Sequence, residues 1–88
     1  MKVVFKASFL KSIEKIRSKQ LQSDIANAIE NVEVSPDIRS ISNLKKLKGY
    51  KDYYRIKIGE NRIALRIIDG TVYFVDIAHR KDIYKHFP

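Results

Sequence analysis

The second half of this chain alternates. Tyr54-Arg55-Ile56-Lys57-Ile58 sets apolar against charged residues, and Arg62-Ile63-Ala64-Leu65-Arg66-Ile67 does so again. A period of two is the pattern of a half-buried strand, because successive side chains leave an extended backbone on opposite faces. Gly59-Glu60 joins the two runs as a tight turn. Asp69-Gly70 is a strong two-residue hairpin signal ahead of a third run, Val72-Tyr73-Phe74-Val75-Asp76-Ile77-Ala78. Three consecutive antiparallel strands follow, and their apolar face must be covered by something else in the chain.

The first half supplies the cover. Lys2–Ala7 predicts a first strand, with Val3 and Phe5 on one side and Lys2 and Lys6 on the other. Ser8 is then placed to cap a short helix whose apolar stripe is Phe9, Ile13 and Ile16 and which ends near Lys19. Leu21, Ile25, Ile29 and Val32 repeat helical spacing from about Gln20 to Val34. Ser35-Pro36-Asp37 stops that helix, because proline disfavours helical geometry in the residue before it. Residues 36–52 form a long connection, anchored by Ile38, Ile41, Leu44 and Leu47 and broken at Gly49. Residues 80–87 close with a helical turn. The expected class is α+β, in the order β-α-α-β-β-β, with a helical hairpin packed on one face of an antiparallel sheet.

At 88 residues the chain is read as a single domain, 1–88, with a small core and no deep enclosed cavity. The absence of cysteine excludes a disulfide framework, thiolate metal sites and a thiol nucleophile. His79 and His86 alone fall short of a catalytic zinc site. No cofactor or metal is called for. The apolar runs are far shorter than the roughly 20 residues a membrane helix needs. The opening MKVVFKASFLKSIEKIR lacks the apolar stretch of a signal peptide, so a soluble, cytoplasmic protein without a membrane partner is expected.

The net charge of +8 is concentrated. Residues 39–66 hold nine basic residues, Arg39, Lys45, Lys46, Lys48, Lys51, Arg55, Lys57, Arg62 and Arg66, against Asp52 and Glu60. Residues 20–38 hold Asp24, Glu30, Glu33 and Asp37 with no basic residue, and are read as the far side of the domain. A two-residue turn at Gly59-Glu60 sets Lys57 opposite Arg62 and Arg55 opposite Ala64. One face is then Tyr54, Ile56, Ile58, Ile63, Leu65 and Ile67; the other carries Arg55, Lys57, Arg62 and Arg66. Like charges directly opposite destabilise a sheet. A sheet that keeps them is built to hold an anion, and a cytoplasmic polyanion is usually nucleic acid. Through Asp69-Gly70 an ideal register adds Tyr73, Val75, Ile77 and His79 to the cationic face, whereas one bulge substitutes Phe74, Asp76, Ala78 and Arg80. Both remain open from sequence.

Five segments in order carry a resemblance: Leu47-Lys48-Gly49, Tyr54-Arg55-Ile56-Lys57-Ile58-Gly59, Asn61-Arg62-Ile63-Ala64, Ile68-Asp69-Gly70 and Ala78-His79-Arg80-Lys81-Asp82-Ile83-Tyr84. Together the chain resembles the RelE/ParE superfamily of type II toxins over its whole length, with the RelE-like branch favoured. The resemblance implies neutralisation by a cognate antitoxin protein. It implies one of two activities: RelE-like members are endoribonucleases that cut mRNA, typically on the ribosome, and ParE-like members inhibit DNA gyrase. A plain nucleic-acid-binding module is a third reading of the charge.

Carried over by position, the RelE-like site has two cations on alternate residues, here Arg55 and Lys57. An arginine opening the next strand matches Arg62, an arginine after the last strand matches Arg80, and a C-terminal tyrosine matches Tyr84. Arg55 stands where the best-known ribonuclease has lysine, and the Arg80–Tyr84 spacing is shorter than in the family. His79-Arg80 also resembles the ending of members that are not ribonucleases. Metal-independent cleavage by the RNA's own 2′-OH needs a proton acceptor, charge for the phosphorane and a donor for the leaving 5′-oxygen. Lys57 is the candidate acceptor and Arg62 the phosphate clamp. Arg80 or His79 serves the leaving oxygen, and Tyr84 stacks a base or orients the 2′-OH. The products would be a 2′,3′-cyclic phosphate and a 5′-OH. Arg55, Arg66, Lys45, Lys46, Lys48 and Lys51 are the candidate phosphate-binding residues around this centre.

Overall fold

In a computed structural model that describes residues 1–86, the alternating half becomes the centre of a five-stranded sheet. The elements are β1 (Lys2–Phe5), α1 (Ala7–Glu14), α2 (Lys19–Val34), β2 (Leu44–Lys46), β3 (Tyr53–Ile58), β4 (Asn61–Ile68) and β5 (Thr71–His79). Single 3-10 turns lie at Ile38–Ser40 and Ile83–His86. Phe87, the end of the expected C-terminal turn, lies outside the described residues. Strand order is β1-β5-β4-β3-β2, antiparallel throughout except that β1 runs parallel to β5.

The β3–β4 register is the one the turn predicts: Ile58 faces Asn61, Lys57 faces Arg62, Ile56 faces Ile63 and Arg55 faces Ala64. Gly59 has φ 55°, a conformation that glycine enters without a Cβ clash and that suits the first central position of a type II′ turn. At the next hairpin Asp69 (φ 48°) and Gly70 (φ 77°) are both left-handed, as a type I′ turn demands.

The helices bury that face. Phe9 of α1 and Ile25 and Val32 of α2 pack on Ile56, Ile63, Leu65, Ile67, Val72, Phe74 and Ile77. Phe5, Phe9 and Phe74 pack ring to ring, with centroids 5.3 to 5.8 Å apart, and so tie β1 and α1 to β5. The Met1 amino group donates to the carbonyls of Val32, Glu33 and Ser35 at 3.2, 2.9 and 2.8 Å, where the end of α2 leaves carbonyls without helical partners. α2 stops at Val34, and Ser35, ahead of the proline, is extended at ψ 130°.

Several expectations change. The first helix ends at Glu14, not near Lys19, because Ser18 must leave helical geometry to cap α2, accepting from the Leu21 N–H at 3.1 Å. Ser8 does not cap: Lys6 holds the N-cap position without a side-chain bond, and the Ser8 hydroxyl donates to the Val75 carbonyl. The connection over 36–52 contains a strand, β2, which pairs with the outer edge of β3. Ile41 and Leu47 anchor it as expected, whereas Ile38 is exposed. The parallel β1–β5 pair is a closure between distant segments that no local period encodes. No helix among the described residues is long and apolar enough to cross a membrane.

Candidate functional site

The other face of the sheet is built in three rows. Tyr53, Arg66 and Tyr73 lie in one; Lys45, Arg55 and Ala64 in the next, with Val75 packed beside Ala64; Lys57, Arg62 and Ala78 in the third. The β4–β5 register shifts once, between Ala64 and Leu65, so that Val75 is the extra residue of a bulge. This settles the two open registers by combining them. Before the bulge Tyr73 lies with the cations; after it Ala78 does, and Arg80 follows two residues on. His79 pairs with Asn61, on the face of Ile58 and Ile77, and its Nδ1 accepts from the Lys81 N–H at 3.1 Å. The register therefore sets His79 apart from Lys57 and Arg62 and brings Arg80 toward them. Asp76, buried at the bulge, accepts from the Ser12 hydroxyl and from its neighbour's backbone, the Ile77 N–H.

Three of the arginines are tethered, each by a different group. Arg55 donates to the Asn43 carbonyl at 3.2 Å, which Asn43 presents from a left-handed turn at φ 62°. Arg62 donates to the Gly59 and Asn61 carbonyls at 2.8 and 2.9 Å, folding back over the β3–β4 turn. Arg80 pairs with Glu60 at 2.8 Å, while its own N–H reaches the Glu60 carbonyl at 2.8 Å. The turn thus relieves part of the repulsion with backbone dipoles and one acid, which alternation alone did not show. A guanidinium has five N–H donors, so each tether fixes orientation and leaves donors for an anion. Lys57 differs. It is exposed, and among the described residues its amine has no hydrogen-bond or ion-pair partner. The acid across the groove beside it, Asp24, is engaged by the Gln20 amide at 2.9 Å.

The C-terminal turn crosses this face. Ile83, 1% exposed, packs with Leu47 and Ala64 over the middle row. Tyr84 is carried with it into a cleft of about 330 Å³, shared with Lys45, Lys46, Leu47, Lys48, Tyr50 and Arg55. Lys45 stands opposite Arg55 on the cationic face, but Lys46 pairs opposite Tyr54 on the helix side, its amine 5.3 Å from that ring and bonded to the Tyr50 carbonyl at 3.2 Å. Lys51 lies on the outer loop with Lys46, Leu47, Lys48, Gly49 and Tyr50, away from Arg55. Arg66 lies 5.4 Å from the Tyr53 ring, at the opposite end of the face from Arg62. Sequence reasoning missed Glu60 as the partner of Arg80 and Tyr53 as a member of this face. Tyr53 was within reach, since it stands two residues before Arg55 on a strand.

A helical pair on one face of a mostly antiparallel five-stranded sheet is a fold that this chain shares with solved RelE toxins. A 35% identical relative, Toxin RelE3 of Methanocaldococcus jannaschii, aligns over 89 residues, 100% of both chains. The RelE chain of a RelB–RelE antitoxin–toxin complex from Methanococcus jannaschii superposes with a TM-score of 0.81 at 32% identity, over 97% of this chain and 99% of that one. The toxin of the intact E. coli RelBE complex superposes at 0.65 and 27% identity, over 89% and 94%. The profile of the ParE toxin of type II toxin–antitoxin systems, parDE, matches residues 3–84. The chain belongs to this RelE/ParE family of type II toxins, as a RelE-like member.

Proposed function

We propose that this toxin is a metal-independent endoribonuclease that cleaves mRNA in the cytoplasm, on the ribosome, and that a cognate antitoxin neutralises it. The observation that carries the reading is the contrast within one row. Lys57 stands untethered directly opposite a tethered Arg62. A clamp benefits from being fixed, because pre-set donors need not reorganise as charge develops on the phosphorane. A proton acceptor instead needs freedom to reach the 2′-OH. In this scheme the amine of Lys57 takes the 2′-OH proton as that oxygen attacks phosphorus. Arg62 and Arg55 hold the non-bridging oxygens, and Arg80, fixed by Glu60, donates a hydrogen bond to the leaving 5′-oxygen, which takes its proton from water as the P–O5′ bond breaks. Tyr84, from the cleft beside Arg55 and Lys45, stacks a base or orients the 2′-OH. The residues over 1–88 act as a single toxin domain.

The antitoxin reading draws on the RelB–RelE complexes among the similar structures and on the charge. An acidic or amphipathic segment would cover the cationic face and the 39–51 loop.

The test is a brief pulse of expression followed by primer extension on cellular mRNA. New 5′ ends are expected with the wild-type chain and not with Lys57→Ala or Arg62→Ala. If both variants arrest growth as strongly as wild type, the assignment of these residues is wrong. The ParE-type profile match favours a second reading, inhibition of DNA gyrase. Intact mRNA together with a DNA-damage response would establish that reading instead.

A further inference from the structure

The cationic face has a second end that the cleavage scheme leaves unused. There Tyr53, Arg66 and Tyr73 lie side by side across three strands. With Lys6, Ile68 and Val75 they line a cleft of about 320 Å³, and none of these residues is acidic. Each ring already has a cation beside it: Arg66 is 5.4 Å from the centre of Tyr53, and Lys6 is 5.7 Å from the centre of Tyr73. Ile83, packed over Ala64, lies between this cleft and the row of Lys57 and Arg62. Arg62 and Arg66 are four residues apart on β4, roughly 13 Å at the rise of a strand.

We propose that this cleft is a second RNA subsite, which binds one nucleotide of a single strand a few positions from the bond that is cut. The proposal rests on the ribonuclease reading above. An aromatic–cation–aromatic row offers stacking for a base of any identity and a fork for its phosphate. A carboxylate-bearing peptide would use the two cations but leave both phenol rings without a role. Ile68 and Val75 give the cleft an apolar floor, which suits the face of a base. Such a subsite acts on where the strand lies. It holds the chain at one end of the sheet so that its phosphate is presented to Arg62 at the other, across the ridge made by the C-terminal turn.

The experiment uses the full chain and single-stranded oligoribonucleotides about ten nucleotides long, fully 2′-O-methylated so that they bind without being cut. Affinity is read by fluorescence anisotropy for wild type, Tyr73→Leu and Lys6→Gln. In parallel, oligomers carrying one 4-thiouridine are crosslinked and the site mapped by mass spectrometry. Tyr53 is left unchanged because it also packs against the cluster of Leu47, Ala64 and Ile83. Tyr73→Leu is expected to weaken binding about tenfold, Lys6→Gln by less, and crosslinks to map to Tyr53 or Tyr73. Should Tyr73→Leu fail to fold, Lys6→Gln and the wild-type crosslinks carry the test. Both variants within twofold of wild type, with crosslinks confined to the Lys57, Arg62 and Tyr84 end, would overturn the subsite and leave the ribonuclease reading standing. Binding lost only for a poly-glutamate peptide and not for RNA would assign the cleft to an acidic protein segment, which also overturns it. No RNA binding by the wild-type chain would overturn the subsite, whereas the ribonuclease reading stands or falls on the primer extension above.

Discussion

The two faces of the sheet are made by the same strands, one residue out of step, yet they are held together in different ways. On the helix side, Ile63, Leu65 and Phe74 are fully buried and touch other apolar groups. On the other side Lys57 and Arg66 are exposed, and apolar contact is confined to the small group around Ile83, Ala64 and Leu47. Packing is dense and intolerant of lost volume, so the first face carries the stability of the fold. The second is held by carbonyls, an ion pair, cation–ring contacts and the apolar group around Ile83. Substitutions there are predicted to leave the fold standing.

That division can be attacked from either side. Phe74→Ala removes a ring shared by β5, β1 and α1, and is predicted to cost about 3–5 kcal/mol in urea unfolding. A loss under about 1 kcal/mol would mean that the helix face is not the one that holds the fold. Lys57→Ala, on the opposite face of the next strand but one, is predicted to leave the melting midpoint near wild type while lowering the RNA cleavage rate about 100-fold. A matching fall in stability would blur the distinction. Ile83→Ala sharpens it, because it tests the one apolar anchor of the open face. The expected cost is about 2 kcal/mol, at the low end because a terminal turn can settle into the space. Hydrogen exchange should show loss of protection near Ile83 and Ala64 but not in α1. Glu60→Gln is the mildest. Its pair with Arg80 is more than half exposed, so thermal unfolding should move by no more than about 0.5 kcal/mol. A larger shift would show that the turn holds the open face more firmly than an exposed ion pair can.

Much of the helix-side face was legible because its signals are local and redundant. Alternation and the glycine at 59 point to one β3–β4 register, which the structure adopts, and Asp69-Gly70 places the next turn. β2 was not legible, since Leu44-Lys45-Lys46 is too short for a period to show and two of its three residues are charged. The bulge at Val75 carries no glycine or other turn residue. It is defined by what the neighbouring elements need: Phe74 must enter the core beside Phe9, and Ala78 must leave room beneath Ile83. That single unmarked residue moved His79 off the cationic face and brought Arg80 to it. The cations themselves were plain in the sequence, but their tethers were not. The carbonyls of Asn43, Gly59 and Asn61 belong to turns whose direction is fixed only once the strands have paired.

The parallel closure of the sheet also bears on timing. During synthesis β1 emerges before the other described elements, and its sheet neighbour β5 after all the other strands. Contacts between such distant parts of the chain form slowly and late. Arg80, Ile83 and Tyr84 follow β5 still, so a growing chain has neither a closed sheet nor a finished cationic face. A nascent chain therefore carries no complete cationic face until the turn that holds Ile83 has come clear.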